Sequence, residues 1–277
     1  MELQDAYASC VETLQQLDYE RYLACLFADK ADQAPLIALH SLNAELGRIR
    51  ESVSEAMLGQ IRLTWWREAI EGLAQGQVRA HPVIEALAPA LETGRFSGPH
   101  LVDMVEARIG DLYEDGPANQ SDLKDYAART GGTVMQQALN GFENADKAEA
   151  RRIGLAMTQG GVVRSIAFHA AMRRVHLPGD ALAQMGVSAE DIFQGTFSPE
   201  IASLARTLGE EALAQLEDGL RQTWSKRSRR ALTPAVFALQ DLRAARRSGF
   251  DPEKPQQAAS RATKLLKSWW FIQTGRV

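Results

Sequence analysis

Cysteine is nearly absent from these 277 residues: there are two, Cys10 and Cys25, and neither sits in a CxxC pair. That scarcity argues against a disulfide framework or a zinc site and for a reducing cytosol. Long hydrophobic runs are missing too. A spanning helix needs roughly 18 or more apolar residues, and the best candidate, 153–172, is interrupted by Arg164. Glycine (21) and proline (10) stay at background, so the chain is neither fibrous nor dominated by linkers. No repeat, low-complexity stretch or convincing period-2 alternation appears. The opening Met-Glu-Leu-Gln-Asp carries acids where a signal peptide would carry positive charge. These absences lead to the expectation of a soluble cytoplasmic protein, with peripheral attachment to the inner membrane left open.

What is present is ordinary in amount and uneven in placement. Apolar residues make up 45% and charged residues 24%. Residues 1–150 hold 12 Lys+Arg against 24 Asp+Glu, whereas residues 151–277 hold 19 against 11. Either the C-terminal half faces something anionic, or two unlike halves attract each other.

Nearly every segment has helical period. Leu39, Leu42, Leu46, Ile49 and Val53 form one apolar stripe. Ser52 or Ser54 caps a helix running to Gly76, and His81-Pro82 opens a short one ending near Gly94. A further helix stops at Gly116-Pro117, and Ser121-Asp122 caps another that runs to Asn140-Gly141. The pattern then predicts one long helix over 146–173 and a short one after Gly186. Two more cover Glu200–Trp224 and Thr233–Ser248, the latter with Pro234 in its first turn. After Pro252 and Pro255 a last helix ends in Trp269-Trp270. The expected fold is all-α, one domain over 1–277, with short connections between antiparallel helices.

Two helix faces have room for chemistry. Opposite the apolar stripe stand His40, Ala44, Gly47 and Glu51; on the 146–173 helix, Thr158, Gly161, Ser165 and His169 share a face beside Arg164. An arginine in so apolar a helix needs an anionic partner or a wet cavity.

At these helices the chain resembles the squalene/phytoene synthases, all-helical enzymes of isoprenoid synthesis. Their first motif reads roughly AFxRxxDDxxD, where this chain has IALHSLNAELGRIRE. Their second, GLAxQLxNxxRDxxED, meets GLAMTQGGVVRSIAFH. The most specific match is RRVHLPGDALAQMGVSAEDI, through Arg174, Leu177, Pro178 and Asp180. The strings NAELGRIRE, IRLTWWREAI, DLYEDG and DLKDYAARTGG are similar to a divergent branch that includes a mitochondrial complex I assembly factor.

The resemblance implies an isoprenoid synthase-like bundle whose pocket includes Arg48, Glu51, Asp111, Arg164, Ser165, His169 and Arg174. The aspartates that hold Mg²⁺ in the enzymes fall here on Gly47, Arg48 and Glu51, and on Ser165 and His169. Mg²⁺ takes hard oxygen ligands in octahedral order, so no metal ligand, no catalytic residue and no cofactor is expected. The resemblance therefore implies a pseudoenzyme that binds a protein partner during respiratory complex I assembly. One alternative is an active prenyltransferase condensing farnesyl or geranylgeranyl diphosphate head to head with Mg²⁺. Another is a binding module that keeps an isoprenoid, phosphate or other anionic ligand without turnover.

Other features have plainer readings. Trp65-Trp66, at helical spacing with Ile61 and Ile70, read as core, and His40, His169 and His176 as structural. Asp111 and Asp115 read as solvated acids at a fraying helix end. The KRSRR run at 226–230 lacks interleaved aromatics, so it reads as a solvated or membrane-facing surface and not as a nucleic-acid site. In the last helix, Arg261, Lys264 and Lys267 stand apart from Leu265, Leu266, Trp269 and Trp270. That pattern suits either an interfacial membrane helix or a docked terminal one.

Overall fold

The computed structural model describes residues 2–254 and 256–277, so the Pro255 break lies outside the described residues. Among these the chain is helical, with no strand. In order come α1 (Leu3–Leu17), α2 (Tyr19–Cys25), α3 (Lys30–Gly47), α4 (Ala56–Leu73), α5 (Pro82–Glu92) and α6 (Gly98–Ala107). Then follow α7 (Gln120–Ala127), α8 (Thr133–Leu139), α9 (Lys147–Arg164), α10 (Ile166–Ala171) and α11 (Gly179–Gln184). The last are α12 (Ala189–Phe193), α13 (Pro199–Arg221), α14 (Lys226–Ala231), α15 (Thr233–Arg246) and α16 (Arg261–Thr274). No helix among the described residues is long and apolar enough to cross a membrane.

The chain divides into two compact units. The first comprises the chain through Leu112, with Thr133–Arg151 and Thr223–Pro234. Its centre is α3, which buries Leu36, Leu39, Leu42 and Leu46 together with His40 and Ser41. α1 packs on it through Ala6, Cys10 and Leu14, spaced one turn apart, and Ser41 Oγ donates to the Cys10 carbonyl at 3.0 Å. Both cysteines are buried and free. α5 opens as its sequence dictates: Pro82 takes the first turn, and His81 Nδ1 accepts the Val83 N–H.

Two arginines of the basic run at 226–230 are paired within this unit. Arg227 makes a two-pronged pair with buried Asp32 at 2.7 and 2.8 Å, and Arg230 pairs with Asp29. Arg227 stays 48% exposed and Arg230 31%, so the run remains a solvated surface, but part of the charge asymmetry is spent on pairs inside the chain.

The second unit comprises Tyr113–Gly132, Arg152–Gln222 and Ala235–Val277. α13 is plainly amphipathic, burying Ile201, Ala205, Leu208, Ala212, Leu216 and Leu220. α9 passes close to the π turn at Ala128–Gly132. A Cβ on Gly154 would come within 2.1 Å of the Gly131 carbonyl oxygen, so glycine is required there. The long helix expected over 146–173 is broken at Ser165 into α9 and α10. Arg173 then adopts φ 51°, in the left-handed region. The last helix docks by Lys264, Ser268, Phe271 and Ile272, and leaves Leu266, Trp269 and Trp270 exposed.

Candidate functional site

In the first unit, Arg48 and Glu51 follow the end of α3 and are both exposed. Gly47 faces open space, since a Cβ there would meet nothing within 4 Å, so packing does not require glycine. Arg48 lines a cavity of about 500 Å³ with Arg62, Ser52, Trp65, Trp66 and His81; neither Gly47 nor Glu51 is part of its wall. Trp66 is core, 5% exposed, but Trp65 is half-buried in the cavity wall, which corrects half of the core reading. Asp111 lies in the short 3₁₀ segment Arg108–Leu112. It is buried and paired with Arg108 Nη1 at 3.2 Å, and Arg108 Nη2 donates to Asn43 at 3.1 Å. The solvated-acid reading is thus overturned for Asp111, while Asp115 is exposed as expected.

In the second unit, Arg164 ends α9 and finds its anion. Asp241 Oδ2 lies 3.1 Å from Arg164 Nη1 and 2.8 Å from Lys264 Nζ, and Asp241 Oδ1 accepts the Ala259 N–H at 2.9 Å. Asp241 and Lys264 are 5% and 1% exposed in their side chains. Neither was singled out from sequence for this role: Lys264 reads as one of an exposed basic row. The available signal is a lone acid inside the otherwise apolar run of α15.

Ser165 sits at the helix break and makes no side-chain cap. His169 packs edge-on against His176 at 4.5 Å, and His176 stacks on Tyr126 at 5.8 Å. Buried Arg174 donates its N–H to the His169 carbonyl at 2.9 Å. Burial, with His176 and Arg174 beside it, pushes His169 down to about 3, so it is neutral at ordinary pH. The space among these residues is about 10 Å³, room for no more than a water. His40 in the first unit is fully buried and likewise held down, to about 3, by burial first and Arg21 second.

The unit thus brings His169 and Arg174 together, and Arg164 goes instead to Asp241 and Lys264. A Cβ at Gly161 would also meet nothing within 4 Å. The positions that the resemblance assigns to Mg²⁺ ligands carry glycine, arginine, serine and histidine, with one exposed glutamate, side chains poorly suited to that ion. Among the described residues no three of His, Cys, Asp and Glu are grouped to hold a metal.

A profile described as squalene/phytoene synthase matches residues 14–265. The chain belongs to this family. It is 28% identical to a mouse protein named NADH dehydrogenase (ubiquinone) complex I, assembly factor 6, over 75% of this chain and 63% of that one. The chain therefore spans under two thirds of that relative's length. It is 24% identical to the 15-cis-phytoene synthase of Synechococcus elongatus, over 79% and 77% of the two chains. In three dimensions it matches a crystal structure of a dehydrosqualene synthase with TM-score 0.83 at 18% identity, covering 99% of this chain and 97% of that one. The fold is that of the isoprenoid synthases, as the family resemblance implied.

Proposed function

We propose that this family member carries out no prenyl transfer and acts in respiratory complex I assembly by binding a protein partner. The observation that carries this reading is the similarity to the mouse assembly factor across three quarters of the chain, 75%. The donor set supports it. Where the enzymes need carboxylates to draw off diphosphate through Mg²⁺, Gly47, Arg48, Ser165 and His169 offer none.

Deleting the gene in the organism that encodes it should lower complex I activity in isolated membranes. The wild-type chain and the Glu51→Gln and Ser165→Ala variants should all restore it. Purified chain with Mg²⁺ and farnesyl or geranylgeranyl diphosphate should release no more diphosphate than a heat-killed control. Mg²⁺-dependent release, or rescue that fails in both variants, would return prenyl transfer to first place.

The exposed Leu266, Trp269 and Trp270 favour a compatible second reading, peripheral attachment to an anionic membrane. They stand on α16, whose basic residues include Arg261 and Lys267, and tryptophan suits the boundary between headgroups and acyl chains. Vesicles containing anionic lipid should sediment the protein, less so at high salt and far less with Trp269→Ser/Trp270→Ser. Equal sedimentation by neutral vesicles, insensitive to salt, would argue against it.

A further inference from the structure

We propose that the cavity in the first unit, walled by α1, α4 and the end of α3, binds a small organic anion, and that an aromatic phosphate is the class it fits. Its volume of about 500 Å³ lies within the usual range for small-molecule sites. Two guanidiniums, Arg48 and Arg62, reach it from different helices although the chain's N-terminal half is rich in acids. Arg62 is held in place: its Nη1 donates to Ser52 Oγ at 2.5 Å, and that hydroxyl donates to the Ile49 carbonyl at 2.9 Å. Guanidinium forks match phosphate oxygens and keep their charge when partly desolvated.

The carboxylate in the wall is Glu45, one turn before Arg48. Partial burial raises its pKa against the pull of Arg48, and its charge is opposed by the two guanidiniums. The remaining wall mixes Thr13 and Gln16 of α1 with apolar and aromatic surface, and the Arg79 guanidinium lies 5.7 Å from the Trp65 ring centre. Trp65 is fixed edge-on by Trp66 at 5.2 Å, and Ile49 and Leu17 continue the surface. His81 closes it with its ring 5.4 Å from Trp65, its Nδ1 already committed to the Val83 N–H. A ring against Trp65 and a phosphate on the two arginines use both halves of the cavity.

Arg48 is among the positions that the resemblance assigns to the pocket, but Arg62, Trp65 and His81 are not, and neither Gly47 nor Glu51 lines this cavity. Gly47 and Glu51 share a face, one turn apart, whereas Arg48 stands roughly 100° round the helix from Gly47. Loss of prenyl transfer and occupation of this cavity are independent, so either can fail alone.

Calorimetry and tryptophan fluorescence on the full chain, with phenyl phosphate as probe and inorganic phosphate and phenol as its two halves, test the proposal. Phenyl phosphate should bind saturably, at least about tenfold tighter than either half. Arg48→Gln and Arg62→Gln should each weaken it by about tenfold or more, and Trp65→Leu should abolish most of the fluorescence response. Arg62 is exposed, so its variant should keep the wild-type circular dichroism even if Trp65→Leu does not. Arg221→Gln, a surface charge in the second unit, controls for unspecific attraction and should bind as wild type. No saturable binding, inorganic phosphate binding as tightly as phenyl phosphate, or both arginine variants binding as wild type would each overturn the proposal.

Discussion

Asp241→Ala should destabilise the protein by about 3–5 kcal/mol, among the larger losses expected from a single substitution. The carboxylate is the shared partner of Arg164, Lys264 and the Ala259 N–H. Arg164 is 26% exposed in its side chain and can turn to water, but Lys264 is 1% exposed and cannot. Removing Asp241 takes a carboxylate 2.8 Å away from a buried ammonium, and that loss dominates over the lost hydrogen bonds. The same argument makes the damage repairable: Asp241→Ala with Lys264→Met removes the buried charge and should recover much of the stability. Urea unfolding of the two single variants and the double gives the coupling. An Asp241→Ala loss below about 1 kcal/mol, or a double variant no better than the single, would show that this cluster behaves as a surface pair.

Much of the fold is written in local chemistry and was legible as such. Gly76, Gly94 and Gly141 read as helix stops, and all three adopt positive φ, where glycine alone is unstrained. The Ser188 start of α12 forms a full capping box with Asp191. Period also placed Leu39, Leu42, Leu46 and Ile49 in the core. It could not say what a charged residue would meet. Arg227 and Asp32 pair across 195 residues of chain, and no local pattern carries that fact. Nor could it show that Lys264, one of a basic row on α16, points into the core while Trp269 and Trp270 point out. The break at Ser165 escaped because serine is only mildly unfavourable within a helix and no glycine or proline marks the spot.

The candidate site divides the same way. The residue types at 47, 48, 165 and 169 are what the proposal against Mg²⁺ rests on, because ligand chemistry is a property of the side chain. The cavity around Arg48 was not legible. It needs Arg62, Ser52 and His81 brought beside one another by the turn after α3 and the loop before α5, a matter of packing. Trp65 and Trp66 are adjacent and chemically identical and both line the cavity, yet Trp66 is core and Trp65 half-buried, as a step of roughly 100° around α4 requires.

Acid should unfold the protein in two-histidine fashion. His40 and His169 are each held to about 3 by burial and by neighbouring cations, one in each unit. In the unfolded chain both return to roughly 6.5. Between these values the unfolded state binds two protons that the folded state refuses, so stability is full above the unfolded pKa and falls as the pH drops. The slope is about 1.4 kcal/mol per pH unit for each histidine, or about 2.7 for the pair. From pH 6.5 to 5 that removes roughly 3 kcal/mol, a large share of the stability of an ordinary domain. Buried Nδ1 atoms without hydrogen-bond partners on both rings are consistent with neutral imidazoles that cannot accept a proton in place. Replacing His40 by Gln should reduce the steepness of Tm against pH over this window by about half, whatever it does to Tm at pH 8. His169→Gln should do the same, and the double variant should leave the contribution of His81, whose pKa burial also lowers, and the carboxylate-driven decline at lower pH. Chemical-shift titration gives an independent reading: neither imidazole should titrate in the folded protein above pH 5. A normal titration near 6.5 for either histidine, or an unchanged slope in both single variants, would refute the account.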